Sequence, residues 1–272
     1  MSDLVHLDID EGVAVATIDA PPMNVMTIPL YLELAQLAVE VEANDAIKVL
    51  VLRSADPDFF IAHFDVEAIL QFPTEGEPRR EATPNPFHQM CERMRTMPKA
   101  TIAEINGRVG GGGSELASSC DMRFGAIGRT IVNQMEVPLG IIPGGTGTQR
   151  LPRLVGRGRA MEIILGGVDV DALTAERWGY LNRALPPDEL RPFVESLAHR
   201  IAGFPATAIA LAKQAIVNAE QLPLADGLAE EALLFQRTLR DPEAQAAMRR
   251  FLELGGQTRE PELRMGDLVT EL

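Results

Sequence analysis

Four consecutive glycines, Gly110 to Gly113, stand between an apolar stretch, "TIAEINGRV", and a segment of helical composition, "SELASSC". Glycine in or beside a helix costs on the order of 1 kcal/mol per residue relative to alanine. A run of four therefore marks a place where something comes close to the main chain. A tight turn against a sheet would explain one or two of these residues but not four. Bare amides at a helix start, aimed along its dipole, form an oxyanion site without any cationic side chain. The run lacks the lysine and Ser/Thr of a Walker phosphate loop, and "GRVGGGG" does not have the spacing of a dinucleotide fingerprint.

The rest of the chain alternates short apolar runs with helical periods, which points to an α/β layered domain. "LVHLDIDEGVAVATIDAP" alternates apolar and polar residues about Asp10-Glu11-Gly12 and predicts a hairpin. "IPLYLELAQLAVEVEAND" predicts a helix ending at Asn44. "AIKVLVLRS", "KATIAEING" and "CDMRFGA" predict strands, the first nearly continuous in apolar residues and so covered on both faces. Residues 71 to 87 hold four prolines and many charges and predict a surface loop or flap. From about residue 148 the pattern turns helical and strands are expected to stop. The expected division is a core of residues 1–190 and a helical C-terminal region of residues 191–272.

The 272 residues, 46% hydrophobic and 24% charged, have the composition of an ordinary globular protein. A net charge of −14 argues against nucleic acid or an anionic membrane as the main partner, since both would be repelled. Cys91 and Cys120 form no CxxC or zinc-like spacing, and the N-terminus has neither a secretory pattern nor an apolar span, so a cytoplasmic location is expected.

Two glutamates qualify as chemistry. Glu115 follows the glycines and is expected in the first turn of their helix, where it could simply complement the dipole. Glu136 lies in "NQMEVPLGIIPGGTGTQRL", flanked by Met135, Val137, Pro138 and Leu139, where desolvation would raise its pKa and suit it to donate a proton. Ser114 lacks a G-x-S-x-G frame and a placed histidine, which argues against a hydrolytic triad. His6, His88 and His199 read as structural or exposed, and Cys120 as a small buried residue.

Taken in order, "PPMNVMT", "FFIAHFDVEAIL", "IAEINGRVGGGGSELASSCDMRF", "EVPLGIIPGGTGTQRLPRLVG" and "AERWGYLNRALP" resemble the enoyl-CoA hydratase/isomerase, or crotonase, superfamily from about residue 5 to 255. The resemblance implies an α/β fold, a crotonase-like spiral of repeated ββα units with a helical C-terminal trimerisation region. It implies that the backbone N–H groups of Phe64 and Gly112 hold a thioester oxygen. By the same resemblance Glu115 would deprotonate a water attacking C3, and Glu136 would bind that water and exchange the proton at C2. The substrate would be an acyl-CoA lying along Asn24, Val25 and Met26 and near Ala62, His63, Asp65 and Gly111. The family also implies a homotrimer or homohexamer that needs no metal and no other cofactor.

Retention of both glutamates favours a hydratase. An isomerase, lyase or hydrolase of another acyl-CoA is the alternative within the fold, and a non-catalytic binding homologue is the alternative outside it. The sequence departs from the family pattern at Ala62-His63-Phe64-Asp65, where the loop usually reads alanine-glycine-alanine-aspartate. A histidine at 63 would be unfavourable if its φ were positive, and the Phe64 ring would narrow or reshape the acyl pocket.

Overall fold

The computed structural model describes residues 4–80 and 82–272. Strands β1 (Val5–Asp10) and β2 (Val13–Ile18) pair antiparallel in the register Val5 to Ile18 and Asp10 to Val13. The two residues between them, Glu11 and Gly12, have φ of 44° and 83°. Positive φ at both positions matches the twist of the flanking strands, which is why this hairpin closes in two residues. Helix α1 (Ile28–Ala43) starts at the N-cap Thr27, whose side chain accepts from the Leu30 N–H, and its C-cap is Asn44.

From β3 onward the chain winds between two sheets. The first of each strand pair, β3 (Val49–Ser54), β5 (Ala100–Ile105) and β7 (Met122–Ala126), joins a six-stranded sheet ordered β1-β2-β3-β5-β7-β10. Their partners β4 (Phe59–Ile61), β6 (Arg108–Gly110) and β8 (Ile131–Asn133) join a four-stranded sheet ordered β4-β6-β8-β9. Each pair is followed by helix: α2 (Val66–Ile69) and α3 (Pro86–Thr96), then α4 (Gly111–Ala117), then α5 (Gly147–Val155) and α6 (Arg157–Gly166). This is the spiral of ββα units. Parallel pairing dominates both sheets, and among the described residues the antiparallel pairs are β1–β2 and β8–β9.

Strands do not stop near residue 148. The two-residue β9 (Val170–Asp171) closes the smaller sheet, α7 (Ala172–Trp178) follows, and β10 (Arg183–Leu185) adds to the larger one beside β7. Such short strands carry no readable alternation, so the helical pattern around them masked them. Helix α8 (Pro187–Ala202) packs Leu190, Val194, Ala198 and Ala202 on one face of the large sheet against Val49, Val51, Ala100 and Ile102. The boundary expected at residue 190 thus falls inside this helix. The opposite face, with Leu50, Leu52, Ala103 and Ile105, joins the core shared by α1, α3, α4 and the small sheet. Burial on both faces explains the unbroken apolar reading of β3.

Helices α9 (Ala206–Asn218), α10 (Leu224–Thr238) and α11 (Pro242–Glu253) and the short α12 (Arg259–Glu262) and α13 (Met265–Leu268) complete the chain. No helix among the described residues is long and apolar enough to cross a membrane.

Candidate active site

The glycine run faces the chain itself. A Cβ on Gly110 would stand 2.5 Å from the Ala62 carbonyl oxygen, one on Gly111 3.2 Å from His63 Cβ, and one on Gly112 3.1 Å from Phe64 Cβ. On Gly113 it would meet both Cβ and O of Ile61 at 2.6 Å. Residues 61 to 64 therefore lie along all four glycines, and side chains there would push the two segments apart. The sequence reading placed a ligand against this bare backbone. The structure instead shows that the first consequence of the glycines is to join two distant stretches of main chain.

That contact assembles the amide pair. Met26 and Phe64 form an isolated parallel bridge, in which the Met26 N–H donates to His63 O (2.8 Å) and the Asp65 N–H to Met26 O (3.1 Å). These bonds use the groups on either side of Phe64 and turn the Phe64 N–H away from Met26, toward the side where Gly112 packs. Gly112 is the second residue of α4, so its N–H has no acceptor in a preceding turn. A Cβ at 112 would lie 3.5 Å from Phe64 N. The two amides expected to act together are neighbours in space.

His63 does not have positive φ; near the site that conformation falls on Asn24, at 50°, on Gly111, at 47°, and on Thr146, at 149°. The feared backbone penalty at 63 is absent. His63 Nδ1 lies 2.9 Å from Phe64 O, and because a carbonyl only accepts, that nitrogen carries the proton.

Glu115 is the fifth residue of α4 and so lies beyond the first turn, which removes the dipole explanation for it. It is 4% exposed. Its Oε1 accepts three backbone N–H groups, from Gly145 (2.8 Å), Thr146 (2.9 Å) and Gly147 (2.8 Å), at the start of α5. Burial holds its pKa above the usual carboxylate value, and these three amides limit that rise without cancelling it. Gly145 is wedged so that a Cβ there would collide with Glu115 Oε2 and the Phe87 ring.

Glu136 caps a 3₁₀ turn, Val137–Leu139, and is also buried. Desolvation pushes its pKa up to about 7; the Glu115 charge adds to this, while its own N–H and that of Met135 oppose it. A Cβ on Gly111 would stand 3.0 Å from Glu136 Oε1, which puts this carboxyl beside the glycine run. Two carboxyls that feel each other's charge, with unequal donor sets, hold a proton unequally.

The remaining expected residues divide. Asn24 is buried and its side chain is fully used: Nδ2 donates to Ser54 Oγ (2.7 Å) and Phe60 O (3.1 Å), and Oδ1 accepts from Ala20 N–H (2.7 Å). Met26 lies wholly in the core. The side chains of Asn24 and Met26 are thus taken up by the fold, whereas Val25, Ala62 and His63 are half-buried. Asp65 caps α2 by accepting the Glu67 N–H. Ser114 meets Tyr180 OH at 3.0 Å, a structural bond.

Sequence reasoning missed two features. The amide cradle for Glu115 consists of backbone groups whose only sequence signal is the glycine-rich "PGGTG". The other is an aromatic wall. Phe64 meets Phe87 edge-on with centroids 5.9 Å apart and Phe72 at 6.4 Å, and Phe87 stacks on Tyr31 at 5.9 Å. The Phe64 ring therefore belongs to a cluster recruited from α1, α3 and the loop before α3.

With this geometry in place, comparison with known proteins is decisive. A family model described as enoyl-CoA hydratase/isomerase matches residues 8–260. The chain belongs to the enoyl-CoA hydratase/isomerase family. A short-chain-enoyl-CoA hydratase of Clostridium acetobutylicum is 32% identical over 250 residues, covering 92% of this chain and 94% of that protein. A crotonyl-CoA hydratase of Syntrophomonas wolfei is 33% identical over 250 residues, covering 92% and 95%. The crystal structure of an enoyl-CoA hydratase from Bacillus anthracis superposes with a TM-score of 0.84 at 27% identity, covering 92% of this chain and 96% of that one. Family membership and the observed spiral of ββα units agree.

Proposed function

We propose that the protein is an enoyl-CoA hydratase, adding water across the 2,3-double bond of a trans-2-enoyl-CoA to give a 3-hydroxyacyl-CoA. The observation that carries this reading is the pair of buried carboxyls of unlike proton affinity, Glu115 and Glu136, set beside the packed amides of Phe64 and Gly112. Glu115, with three N–H donors on one oxygen, is the carboxylate of the pair and takes a proton from water as its oxygen bonds to C3. Electrons of the double bond move onto the thioester oxygen, where the two amides stabilise the charge; one such donor is worth about 3 kcal/mol of barrier. Glu136 then gives its proton to C2. The net addition is one water, and the proton gained by Glu115 restores Glu136 through solvent.

The acyl-CoA is placed along Val25, Ala62 and His63, with the acyl group against Phe64, Phe72 and Phe87. The reaction written this way involves no metal and no redox group. A homotrimer or homohexamer assembled through the C-terminal helices, with residues 191–272 as the trimerisation region, and a cytoplasmic location complete the proposal. Buried free thiols at Cys91 and Cys120 suit a reducing compartment.

The test is loss of enoyl absorbance with crotonyl-CoA and with longer and aryl enoyl-CoAs. Glu115→Gln and Glu136→Gln are each expected to lower kcat by about 10²–10⁴-fold. A wild-type protein that hydrates none of these thioesters overturns the function. Variants that retain full activity overturn the assignment of roles.

A further inference from the structure

Gln134 follows β8 directly and is completely buried. A buried carboxamide must find partners or it opposes folding, and a leucine or methionine would fill the same space without that requirement. Its partner is Glu136. With the amide nitrogen on that side, Gln134 Nε2 lies 3.1 Å from Glu136 Oε1 and 2.8 Å from Oε2. The other end of the carboxamide, which carries its oxygen in this orientation, lies 3.1 Å from where a Cβ on Gly147 would be, a position equally close to Glu115 Oε1. Gln134 thus stands between the amide cradle of Glu115 and the carboxyl of Glu136.

We propose that Gln134 is the positioning residue of Glu136, holding the plane of its carboxyl toward the reacting carbon and stabilising the carboxylate that forms as the proton leaves. This rests on the hydratase reading above. While Glu136 is protonated, the Gln134 N–H bonds to its carbonyl oxygen. As the proton passes to C2 the acceptor becomes anionic and the same hydrogen bond strengthens, since a bond to an ionised acceptor is about twice as strong. The interaction is therefore greater late in proton transfer than in the resting enzyme, which is the condition for accelerating the step. Gln134 itself neither gains nor loses a proton.

The test uses two substitutions of similar shape, Gln134→Met and Gln134→Glu, in the full-length protein with crotonyl-CoA. Gln134→Met is expected to lower kcat by about 10- to 100-fold, as for loss of a hydrogen bond to a charged group, with KM changed less than about threefold. Both variants are expected to move the alkaline limb of the kcat/KM profile to higher pH, the first by removing a donor from the carboxylate and the second by adding a like charge. The titratable neighbours, Glu115 on α4 and His63 behind Gly111, remain in place. A purely structural role would reduce the yield of folded protein and leave that limb where it was. Unchanged kcat and an unmoved limb overturn the proposal, and where the methionine variant does not fold, the glutamate variant decides. An inactive wild-type protein would instead sink the hydratase reading, so the two failures are distinct.

Discussion

Glu115 and Glu136 are the same amino acid given different tasks by what surrounds them. Burial raises the pKa of both, but three amides on one oxygen of Glu115 oppose that rise, whereas Glu136, desolvated and facing the Glu115 charge, is pushed up to about 7 from 4.5. This has a consequence for stability. In the folded chain Glu136 keeps its proton up to about pH 7, while in the unfolded chain it releases it near 4.5. Between those values the folded state binds more protons, so linkage requires stability to fall as pH rises through that window. The stabilisation is fully present below about 4.5 and lost above about 7. Glu136→Gln keeps the shape and removes the titration. At pH 8 this variant is expected to exceed the wild type by on the order of 2 kcal/mol, and the advantage should shrink toward pH 5. Calorimetric melts across that range check it; an advantage that is absent at pH 8, or that grows on acidification, refutes the assigned environment.

At the level of elements, the site depends on how closely α4 approaches the segment from β4 to Phe64. Gly113 touches no substrate in the proposed mechanism, yet a Cβ on it would sit 2.6 Å from Ile61 Cβ and Ile61 O, and one of these is main chain that cannot rotate away. Gly113→Ala is therefore expected to cost about 1–3 kcal/mol and to lower kcat/KM by separating the Gly112 and Phe64 amides. Gly158, in α6, has nothing within 4 Å of its Cβ position, and Gly158→Ala should be neutral or stabilising by up to about 1 kcal/mol with unchanged activity. Chemical denaturation and steady-state kinetics on both proteins separate crowding from a general intolerance of substitution. The same elements show what a sequence can disclose. The β1–β2 hairpin, α1, and β3, β5 and β7 of the large sheet were legible because their apolar periods run for six residues or close to it. Strands β4, β6, β8, β9 and β10 were not, because two or three residues hold no period, and so the smaller sheet was invisible. Glu115, Glu136 and the glycines were legible because their chemistry is written in side chains or in their absence. The amides of Gly145 to Gly147 and the Phe87–Tyr31 stack were hidden, since backbone donors have no letter and ring contacts join residues far apart in the chain.

The molecule as a whole leaves a surface unexplained by its own core. Helices α9 and α10 pack on each other, and α9 leans on α3, but large apolar side chains remain outside these contacts: Leu224 is 78% exposed, Ile216 71% and Phe235 61%. Leu228 and Leu233 on α10 and Leu252 on α11 are also exposed. Single exposed leucines are ordinary, but several large apolar side chains on the packed pair α9 and α10 are of the kind that marks an interface. In the proposed homotrimer or homohexamer, copies of the chain would cover them, because a closed ring buries the same surface in every subunit and leaves none open. A chain of net charge −14 must then gain enough from apolar burial to offset repulsion between subunits, so assembly should tighten as salt screens that repulsion. Sedimentation velocity at micromolar concentration is expected to show a species of three chains or a multiple of three. Leu224→Asp combined with Phe235→Asp should shift it to lower mass while leaving the helical circular dichroism of the subunit intact. A wild-type protein that sediments as a monomer, or a double variant whose mass is unchanged, would show that these helices are not the assembly surface.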